Sequence, residues 1–325
     1  MAESRAAPRN LSPSCLFEVP VLAGATASGK TALALELATR LPLEIISADA
    51  MMVYRGMDIG TAKPSPAERR AVPHHLIDVI DPDCSYDVKQ YVDSAEAAIG
   101  EVLARGKLPV VVGGSGFYIR ALSQGLPTVP AADAARQAPW WHKLEQQGLA
   151  ALEAELAAHS PLDAQRAQHN PRRVIRALEI LEHSGRPPSS FPNRPAAFRY
   201  SKRILSPSPA WLHQRIAQRS QAMLDAGLVA EVQQLLARYP QLPTALQAIG
   251  YKEVVAHLRG EQSLEQSREA ISQATRQYAR RQRTWFRKEP QAEAFSPALS
   301  QDPQALLLAL HDWLQRCWLE HKSAL

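Results

Sequence analysis

The run Gly24-Ala25-Thr26-Ala27-Ser28-Gly29-Lys30-Thr31 carries the clearest chemistry in the chain: two glycines five apart, then a lysine and a hydroxyl. That spacing lets backbone N–H groups converge on phosphate oxygens at the start of a helix, whose partial positive charge favours an anion. Lys30 adds a mobile cation, and Thr31 offers a hydroxyl to Mg²⁺. An apolar run, FEVPVLAG, precedes the loop and a Leu/Ala-rich run follows it, which is the strand-loop-helix setting the pattern requires. These residues predict phosphate binding without saying whose phosphate, since ATPases, kinases and group transferases all use such a loop.

Two further positions could act beside it. Asp49 follows the apolar run LEIISA; a carboxylate there can ligate a metal, accept a proton from a nucleophile, or merely cap a turn. Ser115 sits among Gly113, Gly114 and Gly116 after LPVVVGG. Its hydroxyl would stand beside a ligand if the glycines admit one, whereas a turn that is Gly-rich for packing alone reads the same.

The elements that must position these residues follow from the pattern. FEVPVLAG, LEIISA and LPVVVGG each lead through a loop into a helical run, which predicts parallel βαβ units with ligands at the strands' carboxyl ends. From about Thr128 the texture becomes rich in Ala, Gln, Leu and Glu, and the Pro-rich GRPPSSFPNRPAAFRY returns the chain to a strand-like YSKRILS. The expected organisation is a loose tail over 1–18 and an α/β core with a parallel sheet over 19–127 and 200–325. An inserted all-helical subdomain fills 128–199.

The net charge of +5 on 325 residues is modest, but Arg268 to Lys288 holds seven cations and Glu269 alone as an acid. One basic element on an otherwise near-neutral chain points to a polyanion, nucleic acid above all. On a helix, Arg276, Arg280, Arg283 and Arg287 form one stripe, while Ile271, Ala274, Tyr278 and Trp285 fall elsewhere. Arg172, Arg173 and Arg176 make a second cluster. Cys15, Cys84 and Cys317 are too few and too scattered for a disulfide framework or zinc site, which predicts a reducing, cytoplasmic setting. Neither a signal-peptide core nor a membrane-spanning run is apparent.

The three loops, together with NPRRVIRALEILEHSGRP, QAIGYKE and ATRQYARRQRTWFR, resemble in their order the tRNA dimethylallyltransferase family, from about Val21 to Arg287. The resemblance implies transfer of a dimethylallyl group from dimethylallyl diphosphate to N6 of the adenosine 3′ of the anticodon, with Mg²⁺. It assigns Gly24 to Thr31 and Arg219 to the diphosphate, Asp49 to proton acceptance and Ser115 to holding the amine. Contact with the tRNA anticodon stem-loop falls to Ala50, Met51, Met52, Arg136, Arg172, Arg173, Arg176, Gln247, Gly250, Tyr251, Lys252, Arg276, Arg280, Arg281 and Arg283. A monomer is expected.

This chain departs from the family's usual pattern at three places. Ala25 stands for a common Pro, Ala50 and Met52 occupy a loop often written D-S-x-Q, and Ser115 replaces Thr, losing a methyl and χ1 stiffness. Two rival readings share the phosphate loop. A small-molecule kinase or ATPase would not need the basic helix, and a non-catalytic RNA-binding module would not need Asp49, Ser115 and Arg219 together.

Overall fold

The computed structural model describes residues 17–239, 242, 245–295 and 302–324. Positions 1–16 of the expected tail, with Cys15, lie outside the described residues. At the tail's inner edge the expectation is corrected, because Phe17 packs against the core and Glu18 already opens the first strand.

The chain divides into two compact units, one formed up to residue 123 and again from 197 onward, the other spanning 124–196. In the first unit the elements run β1 (Glu18–Gly24), α1 (Lys30–Ala38), β2 (Leu43–Ala48), α2 (Pro66–Ala71), β3 (His74–His75), α3 (Val88–Ala104), β4 (Leu108–Gly113) and α4 (Gly116–Gln124). The second unit holds β5 (Leu126–Pro127), α5 (Ala134–His159), α6 (Pro161–Ala167), α7 (Pro171–Ser184) and β6 (Asn193–Arg194). The first unit then resumes with β7 (Arg199–Leu205), α8 (Pro209–Asp225), α9 (Leu228–Arg238), α10 (Tyr251–Leu258), α11 (Leu264–Phe286), β8 (Ala292–Phe295) and α12 (Pro303–Ala324).

Six strands of the first unit form a parallel sheet in the order β3-β2-β4-β1-β7-β8. Its central strands β2 and β4 are buried at every position, as a sheet covered on both faces requires. Leu22, Ile45, Val110 and Val112 on one face pack with Ala34 and Leu37 of α1 and Leu310 and Trp313 of α12. The register brings the strand ends level, since Ala23 and Ala48 both pair with Gly113. Three loops therefore leave the sheet side by side. The β3 and β8 strands, of two and four residues, were not apparent in the sequence; neither is long enough to show a period.

The second unit has its own core around Leu152, Leu156, Val174, Ile175 and Leu178. Asn170 caps α7 through the Arg173 N–H with Pro171 in the first turn, and Gly185 closes it in the left-handed conformation. Gly148 breaks α5. The unit is not purely helical: Leu126–Pro127 and Asn193–Arg194 pair as an antiparallel ribbon.

Candidate active site

The phosphate loop forms because Gly29, at φ 89°, takes the left-handed conformation that starts α1 at Lys30. Thr26 to Thr31 line a cavity of about 390 Å³, with Asp49, Arg215, Arg219, Tyr278 and Gln282 around it. Gly24 and Ala25 do not reach it. Gly24 sits so tightly against β7 that a Cβ there would lie 2.6 Å from the Leu205 carbonyl oxygen, and Ala25 is 1% exposed. These two residues support the loop from beneath rather than touching a ligand by their side chains.

Lys30 is folded back onto its own loop, its Nζ donating to the Ala25 carbonyl at 2.7 Å and to Ser28 Oγ at 3.3 Å. Burial lowers its pKa to about 7, Asp49 pulling the other way and Arg219 adding to the fall. Arg219 reaches the same loop from α8, donating to Thr26 Oγ1 at 3.4 Å and the Thr61 carbonyl at 3.3 Å. Its pKa is also pushed down by burial, against the pull of Asp49.

A second cavity of about 350 Å³ adjoins the first. Thr26, Asp49, Thr61, Arg219 and Tyr278 line both. Asp49 follows β2 directly, and its Oδ1 accepts the Met51 N–H at 2.9 Å, so one carboxylate oxygen is held by the turn and the other is available to a ligand. Ser115 Oγ accepts the Ala50 N–H at 3.0 Å. Ala50, Met51, Ser115, Gln247, Lys252 and Arg281 line this second cavity, whereas Met52 belongs to the first.

The glycines around Ser115 serve packing. A Cβ on Gly113 would lie 2.2 Å from the Ala48 carbonyl oxygen, one on Gly114 2.4 Å from Gln282 Nε2, and one on Gly116 2.3 Å from the Trp285 ring. Close approach is needed for protein neighbours, not for a ligand.

Several residues assigned to RNA contact are engaged within the protein. Tyr251 is fully buried, its hydroxyl donating to Glu231 at 2.6 Å, and a Cβ on Gly60 would come within 2.4 Å of its ring. Gly250 is likewise buried at the start of α10. Both side-chain positions are thus packed inside the protein, where they shape the start of α10. Arg176 is half-buried, donating to the Pro130 carbonyl and pairing with Glu179 at 2.7 Å. Arg136 pairs with Asp133 at 3.4 Å, and Arg172 and Arg173 are exposed.

On α11 the buried face is Ser267, Ile271, Ser272, Ala279, Gln282 and Phe286. Arg280, Arg281 and Arg287 are exposed, while Arg276 and Arg283 are half-buried and Arg283 Nε is enclosed without a partner. The single stripe thus becomes an exposed set and a half-buried pair, because α11 packs on more than one side. Tyr278, Gln282, Arg215 and Thr61 were not recognised as site residues. A glutamine on the apolar face of α11 was the available signal for Gln282, since a buried amide needs partners.

The IPP transferase family model matches residues 52–289, and an isopentenyl transferase model matches 17–80. The chain is 53% identical over 297 residues to a tRNA dimethylallyltransferase of Thermus thermophilus, covering 91% of this chain and 97% of that protein. Among solved structures it resembles a full-length tRNA isopentenylpyrophosphate transferase of Bacillus halodurans, with TM-score 0.69 and 34% identity over 94% of this chain and 98% of the other. It also resembles a eukaryotic dimethylallyltransferase whose structure captures it acting on tRNA, with TM-score 0.76 and 27% identity over 92% of this chain and 80% of that one.

Proposed function

The chain belongs to the IPP transferase family and is a tRNA prenyltransferase, and we propose that it moves the dimethylallyl group of dimethylallyl diphosphate onto N6 of the adenosine 3′ of the anticodon. The observation that carries this reading is the pair of adjoining cavities sharing Asp49, one lined by the phosphate loop and the other opening beside Ser115, Gln247 and Lys252.

In this reading the diphosphate lies on the loop amides with Lys30 and Arg219. As the C1–O bond breaks, charge accumulates on the departing oxygens, and preorganised donors stabilise that charge more than they stabilise the bound substrate. N6 attacks C1, forming the N–C bond, and its proton passes to the Asp49 oxygen not committed to Met51. Ser115, fixed by the Ala50 N–H, orients the amine. Adenine must leave its stack to reach this point, as in other base-modifying enzymes. The exposed arginines of α11, with Arg172 and Arg173, hold the phosphates of the anticodon stem-loop.

Mg²⁺ is commonly held by few protein oxygens together with waters and substrate phosphates, and the hydroxyl of Thr31 on the rim of the phosphate-loop cavity is of that kind. Thr31 would hold the ion, which supplies charge neutralisation on the diphosphate. We expect the chain to act as a monomer. Among the described residues no helix is long and apolar enough to cross a membrane.

Incubating the protein with dimethylallyl diphosphate, Mg²⁺ and an anticodon stem-loop bearing the target adenosine tests the proposal. The RNA should gain the mass of one dimethylallyl group in place of hydrogen, and a stem-loop with the adenosine replaced should gain none. No gain with the intact stem-loop would sink the reading.

A further inference from the structure

We propose that Gln282 is a positioning residue for the transfer step, its side-chain amide setting the spacing between the leaving group and the nucleophile. The inference rests on the prenyl-transfer reading above, but its observations concern a residue to which that reading gives no role.

Gln282 is 6% exposed on the inner face of α11. Its Oε1 accepts the Thr26 N–H at 2.8 Å, and its Nε2 donates to the Gly114 carbonyl at 2.8 Å. One amide thus clasps the phosphate loop to the turn that carries Ser115. Each end lands beside a group that meets substrate. Thr26 lines both cavities, and its hydroxyl accepts from Arg219; Gly114 precedes Ser115, which holds the Asp49–Ala50 turn through the Ala50 N–H.

The fit is specific to an amide. Glutamate would keep an acceptor for Thr26 but set a carboxylate oxygen against the Gly114 carbonyl, and methionine would leave a buried N–H and C=O unpaired. Gly114 is part of the same device, because a Cβ there would lie 2.4 Å from Gln282 Nε2 and 3.2 Å from the Gly24 carbonyl oxygen. The clasp also occupies the Thr26 N–H, so the loop amides that face the diphosphate begin after Thr26. Since α11 carries exposed arginines on its other side, the helix proposed to meet RNA is the one that spaces the two reacting partners. Small displacements between reacting atoms carry large penalties in rate.

The test is single-turnover prenylation at saturating donor and stem-loop, with stem-loop affinity and thermal melting measured on each variant. Gln282→Met is expected to slow transfer by roughly tenfold or more while stem-loop affinity stays within about twofold, as base-distant spacing predicts. Gly114→Ala should slow it comparably, and the double variant should be no slower than the worse single one, because both remove the same clasp. Gln282→Glu should regain rate relative to wild type as pH falls from 8 to 5.5, since protonation restores a donor toward Gly114.

Wild-type transfer with an unimpaired Gln282→Met overturns the inference alone, as do losses that multiply in the double variant. If Gln282→Met melts below the assay temperature, the Gln282→Glu profile decides: a profile parallel to wild type overturns the proposal. A wild type that fails to prenylate overturns the functional reading and this inference with it.

Discussion

At the residue scale the site is governed by charge held away from water. Burial lowers the Lys30 pKa to about 7, below its unfolded value of 10.5. Between those two values the unfolded chain holds the extra proton, so this group makes the folded chain more stable as pH rises through that window and least stable below it. A bound diphosphate favours the ammonium and therefore draws a proton in. Calorimetry of pyrophosphate binding at pH 8, in buffers of different ionisation enthalpy, should show wild type taking up nearly one proton more than Lys30→Met; equal uptake would remove Lys30 from the cradle. Asp49 can be dissected from its turn, because Asn keeps the acceptor for the Met51 N–H but cannot take a proton. Asp49→Asn and Asp49→Ala should both lower single-turnover prenylation by roughly 10²-fold or more. Wild-type rates in Asp49→Asn would leave this residue a cap.

At the element scale α11 does two jobs on different faces. Its inner face holds Gln282 and Phe286, and its outer face exposes Arg280, Arg281 and Arg287. If the exposed set meets phosphates, log affinity for the stem-loop falls linearly with log salt, and replacing Arg280 and Arg287 by Gln flattens that slope by roughly one to two units. Arg283 belongs to a different expectation. With its Nε enclosed, Arg283→Gln should shift the melting temperature and leave the salt slope nearly unchanged. An unchanged slope in the double variant would place the RNA on another face.

At the scale of the whole molecule, both cavities are lined wholly by residues outside 124–196, while the second unit has its own core. Leu152 is fully buried in that core, so Leu152→Ala should cost about 2–5 kcal/mol of its stability. If the second unit contacts tRNA, the variant should bind the stem-loop more weakly and bind pyrophosphate as wild type does. Parallel losses in both assays would contradict that division of labour.

What the sequence determined by itself was local. The phosphate loop is legible because its strand, glycines, lysine and helix are contiguous and the physics of anion binding uses them in that order. The parallel sheet was legible from three apolar runs followed by helical ones. Tertiary structure decided what local pattern cannot reach. Gln282 meets Thr26 across 256 positions, so nothing near either residue announces the bond. The glycines about Ser115 look the same whether they admit a ligand or, as here, Ala48, Gln282 and Trp285. Periodicity places arginines on a helix face, yet only packing says how far each stays in water: Arg280 is exposed, whereas Arg283 is half-buried with its Nε enclosed. Nothing local to Tyr251 announces that it is buried either. A motif marks residues that work together, and only the folded chain shows which of them line the cavities and which pack behind them.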